Sequence, residues 1–244
     1  SLLDDDVDTN NDGEIQESEA AAVIWALGVA GQGISSLEGI GSFVNVERFG
    51  CSNNIFSTID LSQNISLISL SCGNNYSLES LDLSNNIQLR YLDLRNAGLT
   101  SLDLSENVNL ERLFCDNNQL TNISLAINSN LQDLYCNDNL LTQLDLSQSP
   151  HLYELHCDEN QLVNLDLSQN PQLAYLTCRN NRLRGLNLAN GENGPYQQMD
   201  PRNNTNLFCI QVDNVVASQN RECKKGTFGW CINEWMEYSQ LCML

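Results

Sequence analysis

Apolar residues return along most of this chain at a spacing of 21 or 22 residues, in the frame Asn-x-x-Leu-x-x-Leu-x-Cys-x-x-Asn-x-Leu-x-x-Leu-Asp-Leu-Ser-x. Seven segments follow it, and LQDLYCNDNLLTQLDLS, from Leu131 to Ser147, shows it nearly complete. Inside each repeat two short stretches alternate with period two, such as Leu134-Tyr135-Cys136 and Leu144-Asp145-Leu146. That alternation predicts two short strands with every second side chain inward, and the Asn-x-Leu between them turns a corner. So short a repeat leaves no room for a long helix. One repeat cannot bury its apolar face alone, whereas stacked repeats share a continuous core. The pattern therefore predicts a solenoid with rungs about 4.8 Å apart, whose function lies on its repeated surface.

Regular rungs begin near Phe43, Asn64, Asn86, Asn107, Asn128, Ser149 and Asn170, and the rung from Asn64 carries one extra residue near Tyr76. The expected organisation is an N-terminal cap over 1–42 that includes an irregular first rung, seven repeats over 43–190, and a loop with a disulfide-bonded C-terminal cap over 191–244. The Leu-x-x-Leu-x-Cys-x-x-Asn-x-Leu spacing resembles the leucine-rich repeat family. The entry segment Ile34-Ser35-Ser36-Leu37-Glu38-Gly39-Ile40 resembles internalin-like bacterial members, and Asn206-Leu207-Phe208-Cys209-Ile210-Gln211-Val212-Asp213 resembles the end-cap of secreted Bacteroidetes-type ones. The resemblance implies an α/β leucine-rich-repeat solenoid, a right-handed superhelix rich in strand and poor in helix. It also implies a secreted or cell-surface, non-catalytic binding module, with a role in adhesion. The chain departs from the frame at Leu94 (for Cys), Ala97 (for the corner Asn), and Ser124 and Asn187 (for Asp).

Three columns follow from the repeat. The corner Asn recurs at Asn54, Asn75, Asn118, Asn139, Asn160 and Asn181, where an amide with both donor and acceptor can satisfy buried turn groups; at Ala97, Asn96 or a water is expected to fill the gap. Cys51, Cys72, Cys115, Cys136, Cys157 and Cys178 share one inward phase and read as small buried hydrophobes. Parallel Cβ vectors would hold a disulfide dihedral near zero instead of about ±90°, so these six are expected to stay thiols. Asp60, Asp82, Asp103, Asp145 and Asp166 form an outward, solvated column.

Charge narrows the function classes. With 31 acidic and 11 basic residues the net charge is −20, which argues against nucleic acid and anionic membranes as partners. No apolar run approaches the length of a membrane span, so no membrane insertion is expected. The chain opens at Ser1 in mid-pattern, as a mature or trimmed protein would. Nine carboxylates fall in the first 42 residues. Among them DTNNDGEIQESE, residues 8–19, fits the loop D-x-[DN]-x-[DN]-G-x₅-E and looks like EF-hand and dockerin calcium loops. Asp8, Asn10 and Asp12 take the first ligand positions. Glu14 would act through its carbonyl, Gln16 through water and Glu19 as a bidentate carboxylate. One structural calcium ion is expected, stapling the cap to the first rung.

Cys209, Cys223, Cys231 and Cys242 lie past the repeats, which suggests two disulfides and an oxidising compartment. Three pairings are open by spacing, and the resembling caps imply Cys209–Cys242, with Cys223–Cys231 following. Residues flanking the Leu and Cys of each first strand should face the concave side. Of these, Tyr91, Asp93, Arg112, Phe114, Asp133, Tyr135, Glu154, His156 and Tyr175 are the expected contacts for a protein or glycan, with Phe114, Tyr135 and His156 consecutive in one column. The first two rungs are small and bland there. His156 lies among Glu154, Asp133 and Asp158, yet no nucleophile–base constellation appears. A monomeric, non-catalytic protein is expected, and a structural or carbohydrate-binding accessory domain is the alternative.

Overall fold

The computed structural model describes residues 7–125, 127–191, 198–215 and 229–242. The chain divides into two compact units, Ser1–Gln119 and Leu120–Leu244. Both are strand-rich parallel solenoids with almost no helix, as the repeat period requires.

The first unit opens with a short helix, α1 (Glu17–Ala22). Five parallel strands follow in sequence order: β1 (Ala26–Gly28), β2 (Arg48–Gly50), β3 (Ser69–Ser71), β4 (Tyr91–Asp93) and β5 (Arg112–Phe114). Their central residues Leu27, Phe49, Leu70, Leu92 and Leu113 pair in register and are buried, so the residues on either side stand on one outer face. In the second unit one parallel sheet runs through β6 (Asp133–Tyr135), β7 (Glu154–His156), β9 (Tyr175–Thr177), β11 (Gln198–Asp200) and β13 (Gly229–Trp230). A second runs through β8 (Asn164–Asp166), β10 (Gly185–Asn187), β12 (Cys209–Gln211) and β14 (Glu237–Ser239).

Two sequence expectations change. The Leu-Asp-Leu stretch is not a strand in every rung. Among the described residues of the first unit it forms none, although Leu61, Leu83 and Leu104 are buried. There the Asp Oδ1 accepts the N–H of the residue two on (Asp60 from Ser62, Asp82 from Ser84, Asp103 from Ser105, each at 2.9 Å), so a local turn and the inward leucines hold the stretch without a ladder. Residues 191–206 are also more than a loop. Gln198–Asp200 pairs with Tyr175–Thr177 in register, Met199 is buried in the Leu position and Asn204 in the corner position.

The corner amides bind rung to rung. Asn160 Nδ2 donates to the carbonyls of Cys157 in its own rung and Cys136 in the one before, at 3.3 and 2.9 Å, while Oδ1 accepts Leu141 N–H at 3.0 Å. Asn181 repeats the arrangement one rung on. The residue before each corner is left-handed, with φ from 53° to 64°. From Asn53 to Asn203, Asn or Asp fills that position in every rung but one, where it is Glu159. A second amide ladder, to which the repeat pattern alone assigned no role, lies on the opposite corner. Asn86 Nδ2 donates to Leu61 and Asn64 carbonyls at 3.1 and 2.9 Å, and Asn170 to Leu146 and Ser149 at 2.9 and 2.8 Å. The side-chain Oδ1 atoms of Asn64, Asn86 and Asn170 accept no hydrogen bond, so these side-chain amides act as donors only.

At Ala97 the expected filling by Asn96 does not occur. Asn96 is left-handed, and its amide donates outward to Asn74 Oδ1 at 2.8 Å. The preceding rung, with its extra residue, adapts next to this exception. Leu78 N–H closes a turn onto the Asn75 carbonyl at 2.9 Å, and the Tyr76 carbonyl lies over Gly98, where a Cβ would stand 2.5 Å from its oxygen. The insertion and the Ala97-Gly98 exception are one accommodation.

The six column cysteines are free and buried. Hydrogen bonding to Cys72 and burial push the Cys51 thiol far up, and burial does the same for Cys157 and Cys178, which keeps these groups protonated and inert.

Candidate partner-binding face

In the first unit the outer strand positions carry an aromatic pair with a cation on it. The Tyr91 and Phe114 rings lie 5.3 Å apart, and the Arg95 guanidinium stands 5.3 Å from the Phe114 centroid. Arg95 is held from the other side by Asp93, Nη2 to Oδ2 at 2.6 Å and Nε to Oδ1 at 3.0 Å. This pairing raises the Arg95 pKa further. Asp93, expected as a partner contact, is buried at 8% exposure and is a positioning group for Arg95 instead. Gly73 makes this possible, because a Cβ there would lie 3.3 Å from Asp93 Oδ1 and 2.9 Å from the Arg95 carbonyl. Arg112 is exposed beside the pair.

In the second unit Tyr135 stacks on His156 with centroids 4.4 Å apart. The imidazole is fixed at both nitrogens, Nδ1 to Thr177 Oγ1 and Nε2 to Glu154 Oε1, each at 2.9 Å. Tyr153 and Tyr175 meet edge to face at 5.6 Å. Asp158, expected near His156, turns to the next rung, where its carboxylate accepts from Arg179 N–H at 2.6 Å and Nε at 3.1 Å. Burial raises the Asp158 pKa and Arg179 opposes the rise. Arg179 also reaches Asp200 at 3.7 Å, and Asp200 is paired twice with Arg202 at 2.6 and 2.8 Å. The sequence reading missed this Asp158–Arg179–Asp200–Arg202 chain. Its signal is the Asp-x-Arg spacing shared by Asp93/Arg95 and Asp200/Arg202. Asp133 and Glu154 stand half-buried at the leading edges of β6 and β7.

The residues of the 8–19 loop do come together. Asn11 and Gly13 are left-handed and fold the loop back, and Asn10, Asp12 and Gln16 side chains meet within 2.8 to 3.0 Å of one another. Asp8 accepts Asp12 and Gly13 N–H at 3.2 and 2.9 Å, and Glu14 N–H donates to Asp12 at 2.9 Å. Glu19 caps α1, accepting from Gln16 N–H at 3.1 Å and from Thr9 N–H and Oγ1 at 2.7 Å. These hydrogen bonds lower the pKa of Asp12 and Glu19. Asp8, Asn10 and Asp12 supply the hard oxygens calcium requires. As placed, no three Asp, Glu, His or Cys groups among the described residues form a metal cage.

At the far end a disulfide joins Cys209 to Cys242, with Cα atoms 5.9 Å apart. Cys231 is also disulfide-bonded, and Cys223, its expected partner, lies outside the described residues. Ile210, Val212 and Met236 are the cap's buried apolar residues. Phe208 and Trp235 of the same segment are exposed at 61% and 44%.

No protein-family model and no curated protein matches this sequence. Solved structures do. The functional domain of InlJ from Listeria monocytogenes, described as including a cysteine ladder, is 26% identical at a TM-score of 0.60, over 93% of this chain and 55% of that one. This chain thus spans about half that domain's length. Internalin C2 of the same organism shares the fold at 24% identity and a TM-score of 0.64, over 81% of this chain and 84% of its own. YopM from Yersinia enterocolitica matches at 26% identity and a TM-score of 0.52, over 69% of this chain and 33% of its own. The chain is a leucine-rich-repeat solenoid, and its structural neighbours are internalins and other leucine-rich-repeat proteins.

Proposed function

We propose that this protein is a non-catalytic, secreted or cell-surface binding module that captures a protein partner through its strand face, in an adhesive role. One observation carries this reading. The rings of Tyr91 and Phe114 in the first unit, and of Tyr135 and His156 in the second, stand on outer strand positions that the core does not use, and charged groups rim and orient them. Aromatic anchors within a polar rim are what protein hot spots are made of. The disulfide fits an oxidising compartment. The test is capture of extracellular proteins by the immobilised chain, followed by identification of the bound species. Phe114→Ala with Tyr135→Ala is expected to abolish capture with little change in melting temperature. Undiminished capture refutes the assignment, and capture lost on deglycosylating the partner moves it to a glycan on the same face.

The 8–19 loop is proposed to hold one structural calcium ion through Asp8, Asn10 and Asp12, with Glu14, Gln16 and Glu19 completing the set. The convergence of Asn10, Asp12 and Gln16 ahead of α1 supports it. Chelator is expected to lower the melting temperature, and Asp8→Ala to remove that sensitivity. Identical melting with chelator and with added calcium sinks the idea.

A further inference from the structure

The N-terminal cap and the first two regular rungs, bland in sequence, line a groove of about 570 Å³ over β1, β2 and β3. Its floor is unusual. Gly28 and Gly50 are paired partners in adjacent strands, and Ser71 follows in the same column. Neither glycine has a positive φ, and neither is crowded. A Cβ at Gly28 would meet nothing within 4 Å, and one at Gly50 only the Leu27 carbonyl at 4.0 Å. Backbone and packing would both accept a side chain, and glycine weakens a strand by roughly 0.5–1 kcal/mol relative to alanine. In the later rungs this column carries Asp93 and Phe114. A bare strand surface of this kind suits a ligand lying close against the backbone.

The walls specify the ligand's chemistry. Trp25 stands at the edge with 75% of its surface exposed. Arg48 and Ser69 form the neighbouring column and Ser71 closes the floor. Among the described residues no hydrogen bond or ion pair engages the Arg48 guanidinium or the Ser69 and Ser71 hydroxyls. A flat indole, two hydroxyls and a guanidinium fork over bare backbone match a pyranose, whose C–H face stacks on the aromatic ring while its rim hydroxyls take polar partners. Val7, Val23 and Ile24 line the rest of the wall and extend the apolar surface for the ring's C–H face, and the net charge of −20 disfavours an anionic ligand.

We infer that the groove walled by Trp25 and Arg48 and floored by Gly28 and Gly50 binds a neutral pyranose unit of a glycan. This site is separate from the aromatic pairs assigned to a protein partner and does not rest on that reading.

The test uses the full chain against a panel of neutral hexose and N-acetylhexosamine oligosaccharides, with titration of any binder by calorimetry and tryptophan fluorescence. At least one saccharide is expected to bind and to perturb the emission. Trp25→Ala should weaken binding at least tenfold and remove the spectral change. Gly50→Val should weaken it at least tenfold by filling the floor, with melting temperature unchanged or higher. The absence of any binder in the panel overturns the proposal, as does binding that survives both substitutions.

Discussion

The corner amide at Asn160 gives the sharpest test of how the rungs are held. Its side chain donates to the buried Cys136 and Cys157 carbonyls and accepts the buried Leu141 N–H, all within 3.3 Å. Asn160→Ala removes a donor and an acceptor at once and opens a polar hole one rung deep. Leaving a buried polar group unsatisfied costs about 1–3 kcal/mol, so losing both functions should destabilise by about 4 kcal/mol. Asn160→Asp keeps an acceptor for Leu141 but turns a second oxygen, charged and desolvated, toward the two carbonyls, and it should be at least as damaging. Urea unfolding followed by far-ultraviolet circular dichroism measures both, the midpoint shift multiplied by the slope giving the loss. A loss below about 1 kcal/mol for the alanine variant, or an aspartate variant more stable than the alanine one, refutes the view that this amide ties rung to rung.

Gly98→Ala should destabilise by about 3 kcal/mol, because it combines a left-handed φ of 80° with a Cβ placed 2.5 Å from the Tyr76 carbonyl oxygen. Deleting Tyr76 in the same chain should relieve part of that loss, and a Gly98→Ala variant as stable as the parent in the same urea assay contradicts the coupling. Hydrogen bonds from Ser62, Ser84, Ser105 and Ser147 lower the pKa of Asp60, Asp82, Asp103 and Asp145 below the usual carboxylate value of 3.8. A lowered folded-state pKa means stability that is present above the unfolded value and lost as pH falls through the folded one. Melting temperature is therefore expected to drop below about pH 4, and less steeply in a variant with these aspartates changed to asparagine, which retains the turn acceptor. Equal acid sensitivity in the two proteins refutes the assignment.

Much of the molecule was legible because the repeat reports burial directly. Leu27, Leu70, Leu92 and Leu113 had to point inward for any rung to fold, and the corner Asn and thiol columns followed from the same phase. The irregular ends were not legible. Met199 and Asn204 continue the solenoid where the frame had faded, since a rung needs an inward apolar residue and a corner amide, not a particular spelling. The first-unit Leu-Asp-Leu stretches kept the strand pattern without the strand, because period two fixes which side chains are buried and leaves open whether the backbone pairs or turns locally.

For the candidate faces, sequence placed Tyr91, Phe114, Tyr135 and His156 on one side but could not say which neighbours they serve. Partners one rung away are 21 or 22 residues distant, and only the stacked backbones bring them within reach. Sequence alone thus determined the period, the core columns and the outward phase, all local consequences of alternation and burial. Tertiary structure alone decided that Asp93 is withdrawn to hold Arg95, that Asp158 leaves His156 for Arg179, and that two uncrowded glycines open a groove under Trp25. Those outcomes depend on side-chain distances between rungs, which a linear pattern does not contain.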